Sequence, residues 1–264
     1  MAGIALDKRH IRQSFANAAQ SYDAMAVLQR QVGRELIAQL SFSHDALVVD
    51  VGCGTGFFTQ QLRDRSVLKN IIALDIAMPM LIKTRQRLND NNVPLLCADV
   101  ERLPIASFSI DAIVSNLVLQ WCQGLDQLFV DVRRVLRAQG QFAFSTFGES
   151  ALWELKSAWA KVDDYPHVND FCSLPEIKQF MRAAGFIDVQ LESRVYQVKY
   201  GSVIELMREL KGIGAHNVNQ ARNKQLTTKR NLQSLLAAYP VDDDGKITAS
   251  YEIIYVQARS GQNI

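Results

Sequence analysis

The sequence predicts an α/β protein built on a mostly parallel sheet with helices on both faces. Two observations carry that prediction. Between residues 47 and 146, short β-branched runs alternate with stretches of helical periodicity, the pattern of a parallel sheet covered on both sides. At 48–60 the chain reads V-V-D-V-G-C-G-T-G-F-F-T-Q, a glycine at every second position between an apolar run and the first turn of a helix. Such a turn lets backbone adopt dihedrals closed to other residues and lets a ligand approach closely, so something is expected to lie against Gly52, Gly54 and Gly56.

The elements follow in order. Ile11, Phe15, Ala18 and Ala19, then Leu28, Val32, Leu36 and Leu40, recur at helical spacing on either side of S-Y-D at 21–23, which predicts two helices before the glycine turn. Strands are predicted at 47–51, 71–74, 95–98, 110–115 and 141–146, with helices at 57–65, 78–90 and 125–137 between them. The second half changes character. Residues 148–172 hold Trp153, Trp159 and Pro166 without a clean strand, and S-L-P-E-I-K-Q-F-M-R-A-A-G-F is a helix with a Ser start and a Gly stop. Residues 187–199 alternate as a long strand, 202–239 read as helix broken at G-I-G, and 251–258 form a closing strand.

Composition narrows the function. With 48% hydrophobic residues in a 264-residue chain there is material for a sizeable core, and the absence of repeats or a linker favours one domain. A net charge of only +2 leaves no global basic field to capture nucleic acid or anionic membrane. No apolar run approaches the roughly 20 residues of a membrane span, and M-A-G-I-A-L-D-K-R is no signal peptide, so a cytoplasmic protein is expected. Cys53, Cys97, Cys122 and Cys172 are widely spaced, which points to reduced thiols rather than a zinc knuckle or disulfides, and no metal site is expected.

In open parallel sheets ligands bind beyond the carboxyl ends of the strands, near the switch in strand order. A nicotinamide or flavin site would show G-x-G-x-x-G, but Phe57 fills the third glycine's slot. The spacing is D-x-G-x-G-x-G counted from Asp50, which suits a ligand with no pyrophosphate. Asp75 ends the second predicted strand, where a carboxylate can accept from both ribose hydroxyls of a nucleoside, and Asp99 ends the third, where C-A-D-V could meet an adenine edge. Asn116 ends the fourth. Taken singly, the aspartates would also serve as helix caps and Asn116 as a turn residue.

Together these four strand ends, over about residues 45–147, resemble the class I S-adenosylmethionine-dependent methyltransferases. The resemblance implies a Rossmann-like sheet, mostly parallel with the last strand antiparallel, and S-adenosylmethionine as cofactor. The implied cofactor set is Asp50, Gly52, Gly54, Gly56, Asp75, Ile76, Asp99, Val100 and Asn116, with the glycine loop against the amino acid part.

F-A-N-A-A-Q-S-Y-D at 15–23, L-Q-R-Q-V-G at 28–33, H-V-N-D-F at 167–171, L-K-G-I-G-A at 210–215 and L-T-T-K at 226–229 resemble, nearly end to end, the malonyl-acyl-carrier-protein O-methyltransferases of biotin synthesis. That resemblance implies methylation of the free carboxylate of a malonyl thioester, on acyl carrier protein or coenzyme A. A carboxylate is ionised at neutral pH, so no general base is expected, and catalysis should rest on alignment and a dry, closed site. The expected layout is a single domain over 1–264, with a helical cap at 1–44, the cofactor core at 45–147 and substrate-side lid segments at 148–172 and 200–245. Tyr22 is a candidate for positioning cofactor or substrate, or for packing the N-terminal helices. Gln120 and Trp121 are expected to line the floor. His167 and Asn169 are candidates for orienting a carboxylate or carbonyl. Between Lys211 and Arg230 the chain has Lys211, Arg222, Lys224, Lys229 and Arg230 and no acid, a patch suited to steering an acidic carrier protein, though Lys211 could instead face the malonyl carboxylate. Gly212 and Gly214 suggest a bend approached closely by backbone or by the pantetheine arm. Methylation of another small metabolite, such as a quinone precursor or a different acid, and non-catalytic cofactor binding are the alternatives. A nucleic acid substrate is disfavoured, because S-N-L-V lacks the N-P-P-Y pattern.

Overall fold

Asp7 starts the first helix by accepting, through its side chain, from the backbone N–H groups of Arg9 and His10, and from there α1 runs over Lys8–Ala18 in the computed structural model. The structure describes residues 6–66, 68, 70–89, 92–215 and 228–262. S-Y-D does not merely break the helical run. It seeds a one-turn helix, α2 (Tyr22–Met25), so three helices precede the glycine turn, the third being α3 (Val27–Ala38).

The alternating half follows the predicted order: β1 (Leu47–Val51), α4 (Phe57–Ser66), β2 (Asn70–Asp75), α5 (Met78–Leu88), β3 (Leu95–Cys97), β4 (Ile110–Asn116), α6 (Leu125–Val135) and β5 (Leu136–Phe147). The fifth strand starts earlier than the 141 expected. R-A-Q-G has no strand pattern, yet Leu136 already pairs with Ile110, and an irregularity before Ala112 and Gln141 absorbs the mismatch, with Gln139 at φ +61°. Beyond it come α7 (Trp153–Trp159), α8 (Leu174–Ala183), β6 (Phe186–Tyr200), α9 (Val203–Gly212), α10 (Lys229–Ala238) and β7 (Ile247–Ser260). Ser173 opens α8 through a capping box with Glu176, the Ser start seen in the sequence.

Among the described residues the strands form one seven-stranded sheet in the order β3-β2-β1-β4-β5-β7-β6. All pairs from β3 to β5 are parallel, and β7 runs antiparallel to both of its neighbours. The chain leaves β1 toward β2 and β3, then returns to the other side of β1 with β4, so the switch in order falls between β1 and β4. Ligands are expected at their carboxyl ends.

Strand alternation sorts the core onto two faces. Val48 joins Leu36, Phe58 and Leu62 on one side, while Val49 and Val51 face Phe129, Phe142 and Phe144 on the other. The ring centroids of those three phenylalanines lie 4.8–5.8 Å apart, close enough to hold α6 rigidly against β5. No helix among the described residues is long and apolar enough to cross a membrane.

Candidate active site

The loop after β1 is stapled to the end of β2, because Gly52 and Cys53 both donate their N–H to the Leu74 carbonyl, at 2.7 and 2.9 Å. All three loop glycines have positive φ, but they answer different needs. A Cβ on Gly52 would sit 2.2 Å from Val118, and one on Gly56 would meet Thr84 Cγ2 at 2.9 Å and its Cα at 3.0 Å. Those two make room for protein. A Cβ on Gly54 would meet nothing within 4 Å, so this glycine alone opens onto empty space.

Asp75, at the tip of β2, is buried and accepts from Gly54 N–H at 2.9 Å and Ala77 N–H at 2.8 Å. Burial nonetheless pushes its carboxyl up to about 6, since desolvation outweighs the backbone donors. Asp50 lies deeper, beneath the loop. One of its oxygens accepts from the Thr59 hydroxyl at 2.5 Å, the other has no partner, and burial raises the group to about 7.

A cavity spreads from this loop across the carboxyl ends of β2, β3 and β4, walled by Gly52, Gly54, Asp75 and Ile76 and by Asp99, Val100 and Asn116. The N-terminal helices roof it with Lys8, Ile11, Phe15 and Tyr22. Lys8 bonds Asp99 at 2.5 Å and Glu101 at 2.7 Å. Asp23 ties α2 to the loop by accepting from the Thr55 hydroxyl at 2.6 Å, and it also pairs with Arg87 of α5. Burial and the nearby charges of Asp75 and Asp23 push the Tyr22 phenol well above its ordinary value, so its hydroxyl is a donor over the whole working pH range.

A second cavity adjoins the first through Trp121, which lines both. Its walls come from α3 (Leu28, Gln29), from α7 and the segment after it (Trp159, His167, Asn169), and from α9 (Glu209, Lys211). His167 stacks on Trp159 with centroids 3.5 Å apart and bonds Asp163 at 2.7 Å. Asn169 is buried with its side-chain oxygen unpartnered.

A methyltransferase domain family matches residues 49–144. A malonyl-[acyl-carrier protein] O-methyltransferase of Methylovorus sp. (strain MP688) is 40% identical over 263 residues, covering 96% of this chain and 89% of its own. This chain belongs to the malonyl-[acyl-carrier protein] O-methyltransferase family. A second relative, the biotin biosynthesis bifunctional protein BioHC of Cellvibrio japonicus (strain Ueda107), is 39% identical over 254 residues, which cover 96% of this chain and 50% of that protein. Among solved structures, the YcgJ protein of Bacillus subtilis has the same fold at a TM-score of 0.66, with 16% identity over 88% of this chain and 99% of that one.

As a member of this methyltransferase family the chain uses S-adenosylmethionine. The residues fit it. Gly54 leaves open space beside a buried carboxylate, Asp75, and the cavity continues to Asp99 and Val100 at the end of β3.

The structure gathers most of the expected residues but not all. Asp50 lines neither cavity and instead holds α4 to β1 through Thr59. Asn116 lines the first cavity, but its amide donates to Gln29 O at 3.0 Å and accepts from Ser145 at 2.9 Å, tying α3 to the sheet. Gln120 lines neither cavity, because its side chain turns back to Leu117 O and the Thr146 hydroxyl. Lys211 lines the second cavity while staying exposed, Lys229 is exposed on the first turn of α10, and Arg222 and Lys224 lie outside the described residues. Gly212 and Gly214 are approached by protein: a Cβ on the first would collide with Met25 of α2, and one on the second would crowd Phe15 and the Ser14 carbonyl of α1. Gln29 lies within the quoted L-Q-R-Q-V-G but was given no role there, and sequence reasoning missed Lys8, Glu101, Glu209 and Tyr251 as wall residues of the two cavities. No motif or spacing marks them.

Proposed function

We propose that this methyltransferase esterifies the free carboxylate of a malonyl thioester, with malonyl-acyl carrier protein as the preferred form, in a soluble cytoplasmic pathway toward biotin. The observation that carries this reading is the junction at Trp121, where the cofactor cavity meets a second, largely apolar cavity in a chain 40% identical to a malonyl-[acyl-carrier protein] O-methyltransferase. Bound S-adenosylmethionine would supply an electrophilic methyl, which an ionised carboxylate could take up with release of the neutral thioether and without any proton transfer.

The chain's own residues are therefore asked for position and dryness rather than acid–base work. In this proposal Gly54, Asp75, Asp99 and the neighbouring Ile76 and Val100 hold the cofactor, and Tyr22 orients its amino acid end or the acceptor. Trp121 and Gln29 align the acceptor carboxylate, while Phe147, Leu155, Trp159 and Phe171 exclude water from the second cavity. Residues 1–44 act as a cap and 148–172 and 200–245 as lid segments. The contacts between Ser21 and the Gly212 carbonyl, at 2.9 Å, and between Met25 and Gly212 support a joined cap and lid.

The test is methyl transfer from labelled S-adenosylmethionine to malonyl-carrier protein and malonyl-coenzyme A in parallel, with the ester followed by mass spectrometry. A strong preference for the carrier form is expected. No ester on either, with cofactor binding intact, would show a methyltransferase of a different acceptor.

A further inference from the structure

The second cavity contains a charge that the proposed reaction does not use. Glu209, on α9, is half-buried in its wall, and Oε1 accepts from the Tyr200 hydroxyl at 2.9 Å, which in turn meets the Tyr251 hydroxyl at 3.1 Å. Among the described residues no cation pairs with it; burial holds its carboxyl above the usual range, the Tyr200 hydroxyl offsets that in part, and the like charge of Glu205 adds to it. An anion left unpaired in a cavity for an anionic substrate opposes binding wherever the substrate's own charge comes near it.

The wall residues differ in whether they also line a neighbouring cavity. Trp121 also lines the cofactor cavity, and Gln29 also lines the cleft beside the glycine loop, so these residues mark the end where an acceptor carboxylate meets the methyl. Glu209, Asn169 and Tyr251 line only the second cavity. Among the described residues that line the cavity, Lys211 is the one lysine or arginine. Asn169 offers an amide, His167 is hydrogen-bonded to Asp163, and Lys211 is exposed to screening solvent.

We infer that Glu209 is a specificity residue, which accepts acyl chains whose far end is an uncharged thioester and turns away free dicarboxylates, whose second carboxylate would lie against it. The inference rests on the proposed substrate reading and deepens it. Discrimination by repulsion of the wrong ligand costs nothing in contacts to the right one, and it adds to the desolvation cost that an apolar wall already sets against a second carboxylate. The same repulsion orients the thioester, since a malonyl group entering backwards would place its carboxylate beside Glu209.

The experiment compares kcat/KM for malonyl-pantetheine and for free malonate in the wild-type protein, Glu209→Gln and Tyr200→Phe, with S-adenosylmethionine affinity by calorimetry as the check on folding. In Glu209→Gln the malonate-to-thioester ratio is expected to rise at least about tenfold, since a like charge is removed from a partly desolvated wall. In Tyr200→Phe, which keeps the carboxylate but removes a hydroxyl that favours its ionised form, the ratio should rise much less than in Glu209→Gln. A ratio unchanged in Glu209→Gln, or raised equally in both variants, would overturn the inference while leaving the substrate reading standing. No ester from malonyl-pantetheine or any malonyl thioester in the wild-type protein, with cofactor bound, would overturn the substrate reading and this inference with it.

Discussion

Lys8 and Asp99 are 91 residues apart in the chain, yet the Lys8 ammonium lies 2.5 Å from Asp99 Oδ2 and 2.7 Å from Glu101 Oε2. The first turn of α1 is thereby bolted over the end of β3, the strand end that the family resemblance assigns to adenine. Burial pulls the Lys8 ammonium down, but its bonds to the two carboxylates outweigh that and hold it above its ordinary value. The roof over the cofactor cavity is fastened by charge as well as by the contacts of Ile11 and Phe15.

Replacing Lys8 by Met keeps most of the stem and removes the charge. Both side chains of the Lys8–Asp99 pair are about one third exposed (34% and 31%), so solvent screens the pair and its worth is small. A loss of about 0.5–1 kcal/mol, or roughly two- to fivefold in cofactor affinity, is expected by calorimetry, together with faster proteolysis ahead of α2. Unchanged affinity and unchanged proteolysis would mean that the bolt holds nothing.

The loop glycines should separate stability from binding. Gly54→Ala forces a left-handed residue, at about 1–2 kcal/mol, but collides with no protein atom, and its methyl enters the space beside Asp75. Gly56→Ala bears the same backbone cost and also presses on the Thr84 backbone. The first variant should melt within a few degrees of wild type and lose cofactor affinity, whereas the second should lose more thermal stability. Normal cofactor affinity in Gly54→Ala would remove the cofactor from this loop.

The contrast among these glycines also shows what a sequence can disclose. Strand ends are legible because alternation and turn residues are local signals, which is how Asp75, Asp99 and the glycine turn could be read as neighbours. Side-chain direction is less local. Gln120 and Trp121 are adjacent on a short 3-10 turn, where successive side chains point about 120° apart, so Trp121 faces both cavities while Gln120 turns to Thr146. Lys8 and Glu209 were illegible for another reason. Each reaches its cavity only through the packing of a helix far along the chain, and a lone charge on an amphipathic helix looks the same whether it faces water or a wall.

Lys229 and Arg230 open α10 with no acidic residue anywhere in that helix, and both are exposed. If they guide an acidic carrier protein, the double charge reversal Lys229→Glu, Arg230→Glu should raise KM for malonyl-carrier protein about three- to tenfold at low ionic strength and flatten its salt dependence. KM for malonyl-pantetheine, which has no acidic body to steer, should be unaffected. Equal loss on both substrates would place these residues in packing rather than docking.

Asp50 gives a prediction whose sign runs against the usual one for carboxylates. Burial raises it from 3.8 to about 7, with the Thr59 hydroxyl too weak a counterweight, and Asp75 behaves alike at about 6. Between about pH 4 and 7 the folded chain therefore binds more protons than the unfolded one, and the stability of the cofactor-free protein falls as pH rises through that window. Asp50→Asn removes that group's share, because the amide oxygen still accepts from Thr59 and no charge has to be buried. The variant should melt above wild type at pH 8, by on the order of 2–4 °C per kcal/mol recovered, and the gap should narrow at pH 5, where wild-type Asp50 is largely protonated. Because Asp50 lines neither cavity, its cofactor affinity should stay at the wild-type value. A gap of the same size at both pH values would show that the carboxylate is ionised throughout in the folded chain. A large drop in affinity would show that Asp50 reaches the cofactor after all.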